Sequence, residues 1–436
     1  MRFVRKEIEV LPEPNYPVSP DQFVGRKTPG EAFTLALQQG LAAGRISSFA
    51  VLGDWGIGKS SLLLKFAAIG SDPKYGILPV LMPVSTDYGD YRRFAESLLD
   101  GLAEALATAS SLTTRLRTEV RNWKLKRVSM GGFTLDREAQ RFFLSSGSSL
   151  LRHALGEAWK RFFLPAQING AMFFLDDLDN FATPVAQDVA LTLRDQFQWL
   201  GVNRMNYSVC FSARSDYFSA IRSFAEPAVR FYTKFYLEPF SAEETNEYAE
   251  AAFRTHSEKL HGLSGWLYEK TLRHPYFLAF ICRELLACTQ GSAPESPEHL
   301  WPHVFQQLER NKFRLDLAQV PERELELLQT LAGAQRDEIN PRHFIPAFQH
   351  AHFARLTAKR LLIRTGRGRY KLYHPLFREF LRQTKWPRAT ANTRAISAGT
   401  RRQACRRVPA SLALPTGRSP FPDPIFLDPF PLSIPD

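Results

Sequence analysis

Eight consecutive residues have the types and spacing of a phosphate-binding loop. The run Gly53-Asp54-Trp55-Gly56-Ile57-Gly58-Lys59-Ser60 matches the pattern G-x-x-x-x-G-K-[ST] in full. Its glycines let successive backbone N–H groups turn toward phosphates, and the helix that follows adds its positive N-terminal end. Lys59 is expected to reach the β- and γ-phosphates and Ser60 to bind Mg²⁺. The loop and Ser61 therefore predict a binding site for ATP and Mg²⁺.

Two carboxylates end an apolar run further along the chain. Asp176 and Asp177 follow Ala171-Met172-Phe173-Phe174-Leu175, and Asp179 adds a third acid. One carboxylate at such a place can hold the Mg²⁺ shell, and the next can polarise the attacking water. Most P-loop ATPases with strong turnover have Glu at the second position. Asp177 is one methylene shorter, so slow hydrolysis or a switch role is expected. The alternative is an acidic cluster that the dipole of a following helix favours.

A polar pair follows the next predicted strand. Ser212 and Arg214 come directly after Tyr207-Ser208-Val209-Cys210-Phe211. A polar residue there would lie between the glycine loop and the carboxylates and sense the γ-phosphate. The sequence does not choose between the two, and ordinary loop contacts are the alternative.

The predicted elements support this arrangement. Strands are expected at 48–52, 78–84, 171–175 and 207–211, and helices at 29–43, 61–66, 90–108, 148–163 and 184–199. Residues 124–134 suggest a small hairpin. Strands that alternate with helices predict an α/β fold with a mostly parallel sheet covered on both faces.

After Pro239 the pattern becomes helical. Ser241-Ala242-Glu243-Glu244 is a capping box, and helices are expected at 264–272, 275–289 and 298–312, as a helical lid. Helices at 322–332, 341–349 and 351–362, a hairpin at 362–373 and a last helix at 375–382 predict a winged helix-turn-helix domain. The expected divisions are an arm at 1–20, a core at 21–236, a lid at 237–315, a winged helix at 316–386 and a disordered Pro/Arg-rich tail at 387–436.

Four short motifs in order give a family resemblance. They are Phe23-Val24-Gly25-Arg26, Leu237-Glu238-Pro239-Phe240-Ser241, His274-Pro275-Tyr276-Phe277-Leu278 and Arg369-Tyr370-Lys371-Leu372-Tyr373-His374-Pro375-Leu376-Phe377. Residues 20–385 thereby resemble the STAND-type and archaeal-type (origin-recognition-like, AAA-related) P-loop ATPases, which have a C-terminal winged helix.

The resemblance implies further roles. Val24, Gly25 and Arg26 would lie near the adenine, and Pro275 with His274 would close over the nucleotide. The family often has Gly where this chain has Arg273, and no Gly-Asp-x-Arg occurs in the lid, so the usual second sensor arginine is missing. This favours a STAND-like protein over a ring-forming machine. A trans arginine finger stays unassigned, with Arg222 and Arg230 as candidates.

The positive charge is concentrated in the C-terminal third. The net charge is +12, of which residues 320–387 carry +7 and residues 388–436 carry +4. Basic residues of the predicted third helix and wing could contact duplex DNA: Arg355, Lys359, Arg360, Arg364, Arg367, Arg369 and Lys371. The alternative is a winged helix that packs on the nucleotide domain and controls exchange.

No apolar run reaches the roughly 18–20 residues that span a bilayer, and the first residues lack a signal-peptide core. The four cysteines have no metal-ligand spacing. We therefore expect a cytoplasmic protein that has no membrane partner.

Three functions are compatible with these patterns. The first is a STAND-like ATPase switch, closed with ADP and opened by ATP, with a separate protein partner for input or output. The second is an ATP-dependent DNA-binding protein of initiator or transposition-helper type. The third is a nucleotide-binding scaffold with little turnover.

Overall fold

The computed structural model describes residues 13–84, 88, 90–129, 147–180, 183–254, 260, 262–334, 336–343, 348–366 and 368–384. The architecture below belongs to one compact unit that ends at Gln383. The tail expected to be disordered, 387–436, lies outside the described residues.

A five-stranded parallel sheet forms the centre of the core. Its strands are β1 (Ser48–Leu52), β2 (Ile77–Pro83), β3 (Gly170–Asp176), β4 (Tyr207–Ala213) and β5 (Tyr232–Tyr236), in the order β2-β3-β4-β1-β5. All of β1 and β4 is buried, as expected for parallel strands covered on both faces. The register sets Val51 opposite Ser212 and Phe174 opposite Cys210, so the strands end at one edge.

Helices cover both faces of the sheet. One face packs on α1 (Lys27–Ala42) and α2 (Lys59–Ser71), where Phe33 stacks on Phe66 with ring centroids 4.1 Å apart. The other packs on α3 (Tyr91–Thr108), α4 (Thr114–Ser129), α5 (Gly147–Ala158), α6 (Thr183–Val202) and α7 (Tyr217–Phe231). A π-helical turn, Trp159–Phe163, extends α5. Alternate residues of β1 face the two layers, which fixes its orientation.

The described residues of the lid form helices joined by turns, and no strand occurs among them. It contains α8 (Ala242–Phe253), α9 (Leu263–Thr271), α10 (Pro275–Cys288) and α11 (Pro297–Leu308), which continues through a π-helical turn (Glu309–Phe313) into α12 (Arg314–Leu317). The predicted capping box is present at the start of α8, where Ser241 and Glu244 bond each other's backbone N–H groups. The helical run to Leu317 crosses the expected boundary at 315–316.

The C-terminal region comprises α13 (Glu322–Gly333), a 3-10 turn (Pro341–His343), α14 (His350–Ala358), the antiparallel hairpin β6 (Leu362–Gly366) and β7 (Arg369–Leu372), and α15 (Pro375–Gln383). It follows the predicted order of helices and hairpin, but the expected helix at 341–349 is replaced by the short 3-10 turn, and residues 344–347 lie outside the described part.

Three further expectations need correction. The hairpin expected at 124–134 is wrong over 124–129, which belong to α4; Val120 and Trp123, in the preceding turns of the same helix, are buried at helical spacing. β4 continues to Ala213, so Ser212 lies inside the strand. The strand β5 was not predicted. None of the described helices combines the length and apolar content needed to cross a bilayer.

Candidate nucleotide site

A cavity of about 440 Å³ lies where β1 and β3 end, within the usual size range of small-molecule sites. Its floor is the glycine loop and the start of α2, and its lining includes most of the predicted site: Val24, Arg26, Trp55, Gly56, Ile57, Gly58, Lys59, Ser60, Ser61, Asp176, Asp177 and Pro275. The predicted loop, carboxylates and lid motif are therefore brought together around one space.

The glycine loop has the backbone that its sequence demands. Gly56 and Gly58 have φ of +70° and +94°, which favour glycine, and Gly58 directly precedes α2. A Cβ on Gly56 would lie 2.8 Å from Cβ of Tyr276. The Tyr276 N–H donates to the Gly56 carbonyl over 3.2 Å. The lid thus rests directly on the loop.

Lys59 and the carboxylates influence one another. The Lys59 Nζ donates to the Asp54 carbonyl over 3.0 Å, and burial lowers its pKa, while the charges of Asp177, Asp179 and Asp176 oppose that shift. Burial, and next the charge of Asp176, raise the pKa of Asp177. A raised pKa suits a group that accepts a proton from water.

Ser212 is tied to the two carboxylates, because β4 lies between β1 and β3. Its hydroxyl donates to Asp176 Oδ1 over 2.6 Å and accepts from the Asp177 N–H at 2.8 Å. Arg214 instead forms ion pairs with Asp179 at 3.0 Å and Asp216 at 3.4 Å, facing a neighbouring cleft. The geometry thus links Ser212, but not Arg214, to the cavity's acids.

Arg26 joins three parts of the chain. It is only 9% exposed, and its guanidinium donates to the carbonyls of Ile57 and Glu238 at 3.3 and 2.6 Å. Its backbone N–H donates to Glu244 at 2.7 Å, and its guanidinium lies over Phe240. The capping-box glutamate therefore ties the lid to the entry segment. Gly25 lies beside this contact but does not line the cavity.

His274 lies beside the glycine loop and faces the neighbouring cleft rather than the cavity. Burial lowers its pKa to about 4. His374 stacks on Phe277, and its Nε2 donates to the Thr271 carbonyl over 2.9 Å while Nδ1 accepts from the Leu376 N–H. Burial lowers its pKa to about 3.

Several wall residues had no sequence signal. Tyr16, Pro17 and Val18 of the arm line the cavity, and the Val18 N–H donates to the Ser61 hydroxyl over 3.1 Å. The arm's Glu13 pairs with Arg283 of the lid at 3.2 Å. A proline-rich segment has no period that would reveal such a docked position.

A second bridge links the loop to the C-terminal region. Lys312 lies over the Trp55 ring, 4.0 Å from its centroid, and pairs with Asp316 at 2.5 Å. The hydroxyl of Tyr373 donates to the same carboxylate over 2.7 Å. The position of the C-terminal region is thereby connected to the tip of the glycine loop.

The basic residues expected to contact DNA are arranged differently from the expectation. The buried Glu324 pairs with Arg355 and lies 3.6 Å from Lys359. Lys359 and Arg360 follow α14 rather than lying on it, and Arg360 lines the nucleotide cavity. Arg369 pairs with Glu338 at 3.4 Å, whereas Arg364 and Lys371 line the neighbouring cleft. Arg367 lies outside the described residues.

The candidate trans arginine fingers, Arg222 and Arg230, are exposed on α7 and do not line the cavity. Arg230 pairs with Glu226 on the same helix at 2.5 Å.

The residues present suit Mg²⁺. Ser60 and Asp176 supply hard oxygen ligands at one cavity, and phosphates would complete the set. Across the described residues no three His, Cys, Asp or Glu side chains form a protein-only metal site.

No family model and no curated protein matches the chain. Solved structures do. The fold is similar to a Walker-type ATPase of Pyrococcus abyssi, with TM-score 0.50 and 14% identity over 84% of this chain and 97% of that one. It is also similar to the ORC2 protein of Aeropyrum pernix in its ADPNP–ADP complexes, with TM-score 0.53 and 13% identity over 85% and 94%. The chain therefore has the fold of a P-loop nucleoside triphosphatase.

Proposed function

We propose that this chain binds ATP with Mg²⁺, hydrolyses it slowly, and changes the positions of its lid and C-terminal region with nucleotide state. The observation that carries the proposal is the composition of the cavity. The glycine loop forms its floor, and the arm, the lid and Arg360 of the C-terminal region form its walls. A ligand there would touch the glycine loop, the arm, the lid and the C-terminal region.

The chemistry follows from the residues around the cavity. The loop N–H groups and Lys59 would hold the phosphates, and Ser60 and Asp176 would hold Mg²⁺. When bound, Mg²⁺ would neutralise charge on the phosphates. Asp177 would orient the attacking water and accept its proton, while Ser212 fixes the two carboxylates relative to each other. Val24 and Arg26 would lie on the adenine side, and Pro275 would close from the lid.

The direct contacts of the glycine loop with the lid and with the C-terminal region support the proposed switch. Tyr276 bonds Gly56, and Lys312 connects Trp55 to Tyr373 through Asp316. A phosphate that reshapes the loop would alter both contacts. A separate protein partner for input or output remains part of the proposal, as does an origin-recognition-like or STAND-like relationship with a winged C-terminal domain.

Duplex DNA has less support. Arg355 and Lys359 are engaged by Glu324, and Arg360 lines the nucleotide cavity. Of the residues predicted to contact DNA, those of the hairpin would then have to supply the binding.

The test combines binding with limited proteolysis. Lys59→Ala should abolish ATP binding or turnover, because it removes the cation that reaches the phosphates. In the unaltered chain, exchange of ADP for a non-hydrolysable ATP analogue should change protease cleavage within 235–240 and 312–322. Normal ATP affinity in Lys59→Ala would refute the proposed nucleotide site, and identical cleavage in both states would refute the proposed switch.

A further inference from the structure

The turn after α14 has an unusual residue at its centre. The Arg360 N–H donates to the Thr357 carbonyl and the Leu361 N–H to the Leu356 carbonyl, both over 3.0 Å. This is the Schellman ending of a helix, and its left-handed position is usually glycine. Here it is Arg360, with φ of +62°. An L-residue with a side chain is disfavoured in this conformation, and such costs often occur at functional sites.

The turn directs Arg360 to the nucleotide cavity. Arg360 lines that cavity together with Lys59, Ser60 and Asp177, and it also borders the neighbouring cleft. Its charge lowers the pKa of both Lys59 and Asp177, the residues proposed to hold the phosphates and to orient the attacking water. Its guanidinium makes no hydrogen bond or ion pair with any described residue. Neighbouring Lys359 is already held by Glu324 and by the Gln319 carbonyl.

The cavity lining brings Arg360 and Lys59 to one space, beside the carboxylates of Asp176 and Asp177. The lid residues that line it are Phe240, Tyr248, Pro275, Tyr276 and Ala279, none of which is basic. Arg26 also lines it, but carbonyls and Glu244 occupy its donors. A free guanidinium beside Lys59 suits a polyanion, because charge-assisted bonds from arginine to phosphate are strong and directional.

We propose that Arg360 contacts the terminal phosphate of bound ATP within the same chain and so holds the C-terminal region against the core. This inference rests on the proposed function, since it assumes that ATP occupies the cavity. It also sets the direction of the switch: ATP, rather than ADP, favours the arrangement described here. That direction is opposite to the one expected from the family resemblance.

The test uses the full chain and the substitution Arg360→Gly. Glycine suits the left-handed turn, so the melting temperature without nucleotide should stay the same or rise. Affinity for a Mg²⁺-bound non-hydrolysable ATP analogue should fall about tenfold to hundredfold, the range of one charge-assisted hydrogen bond. Affinity for Mg²⁺·ADP should be unchanged. Arg369→Ala, which removes a basic residue of the same region away from the cavity, is the matched control.

The outcomes separate two ideas. If the unaltered chain binds the analogue and Arg360→Gly binds it equally well, the role of Arg360 is refuted and the nucleotide site stands. Equal losses for the analogue and ADP would also refute a contact specific to the terminal phosphate. If the unaltered chain bound neither nucleotide, both the proposed function and this inference would be refuted.

Discussion

Acidification should weaken the attachment of the C-terminal region to the lid, because His374 is held neutral there. The side chain is 3% exposed. Its Nε2 donates to Thr271 and its Nδ1 accepts from the Leu376 N–H. If Nδ1 were protonated, its N–H would face the Leu376 N–H, and neither donor would have an acceptor there. Burial is the main reason that a proton on His374 is disfavoured, and the positive charge of Lys371 adds to it.

The size of the effect follows from linkage. The pKa of His374 is lowered to about 3, against about 6.5 in an unfolded chain. The unfolded state then binds more protons below pH 6.5. The stability that neutral His374 contributes is therefore fully present above that pH and is lost as the pH falls. At about 1.4 kcal/mol per pH unit, His374 alone removes about 2 kcal/mol between pH 6.5 and 5.

Urea unfolding at pH 7 and pH 5 measures this loss. The substitution His374→Asn keeps a side chain that can accept from the Leu376 N–H at the start of α15 but does not titrate. Its loss of unfolding free energy between the two pH values should be about 2 kcal/mol smaller than that of the unaltered chain. His303→Asn, which removes an exposed histidine of α11, is the matched control. An equal loss in His374→Asn and the unaltered chain would refute the reasoning.

Three further outcomes are expected. Ser212→Ala removes the donor to Asp176 and leaves the part-buried Asp177 N–H without its acceptor, so stability should fall by about 1–3 kcal/mol and turnover should drop. The control for the unfolding and turnover assays is Ser208→Ala, because the Ser208 hydroxyl has no partner among the described residues. Asp177→Asn should retain ATP but lose turnover in a phosphate-release assay, whereas unchanged turnover would favour a scaffold. Reversing Arg369 and Lys371 to Glu should leave ATP affinity unchanged in a titration; loss of duplex affinity with a salt slope smaller by about 2 would instead indicate a DNA site.

The central fold could be predicted because its signals are local. The glycine loop demands a strand before it and a helix after it, and Asp176 and Asp177 mark the end of a fully apolar strand. These features are confirmed by β1, α2 and β3. The capping box likewise located the start of α8 from four residues.

Other features depend on contacts between distant residues. β5 is a short edge strand that follows a helix kinked at Ala225 and containing Pro227, so neither period nor composition separates it from a helix. Residues 124–129 have mixed polarity, and only burial of Val120 and Trp123 shows the helical face. The orientation of Arg360 depends on a left-handed turn, which a sequence without glycine there does not suggest.

The docked arm has a consequence for the lifetime of bound nucleotide. Its residues lie over the start of α2 and are held by Ser61, by Lys65 and by Arg283 of the lid. The arm also lines the cavity, so if nucleotide is bound there, its release would depend on these contacts as well as on phosphate affinity. Breaking the contact of the arm with Arg283 would then shorten the time for which nucleotide stays bound.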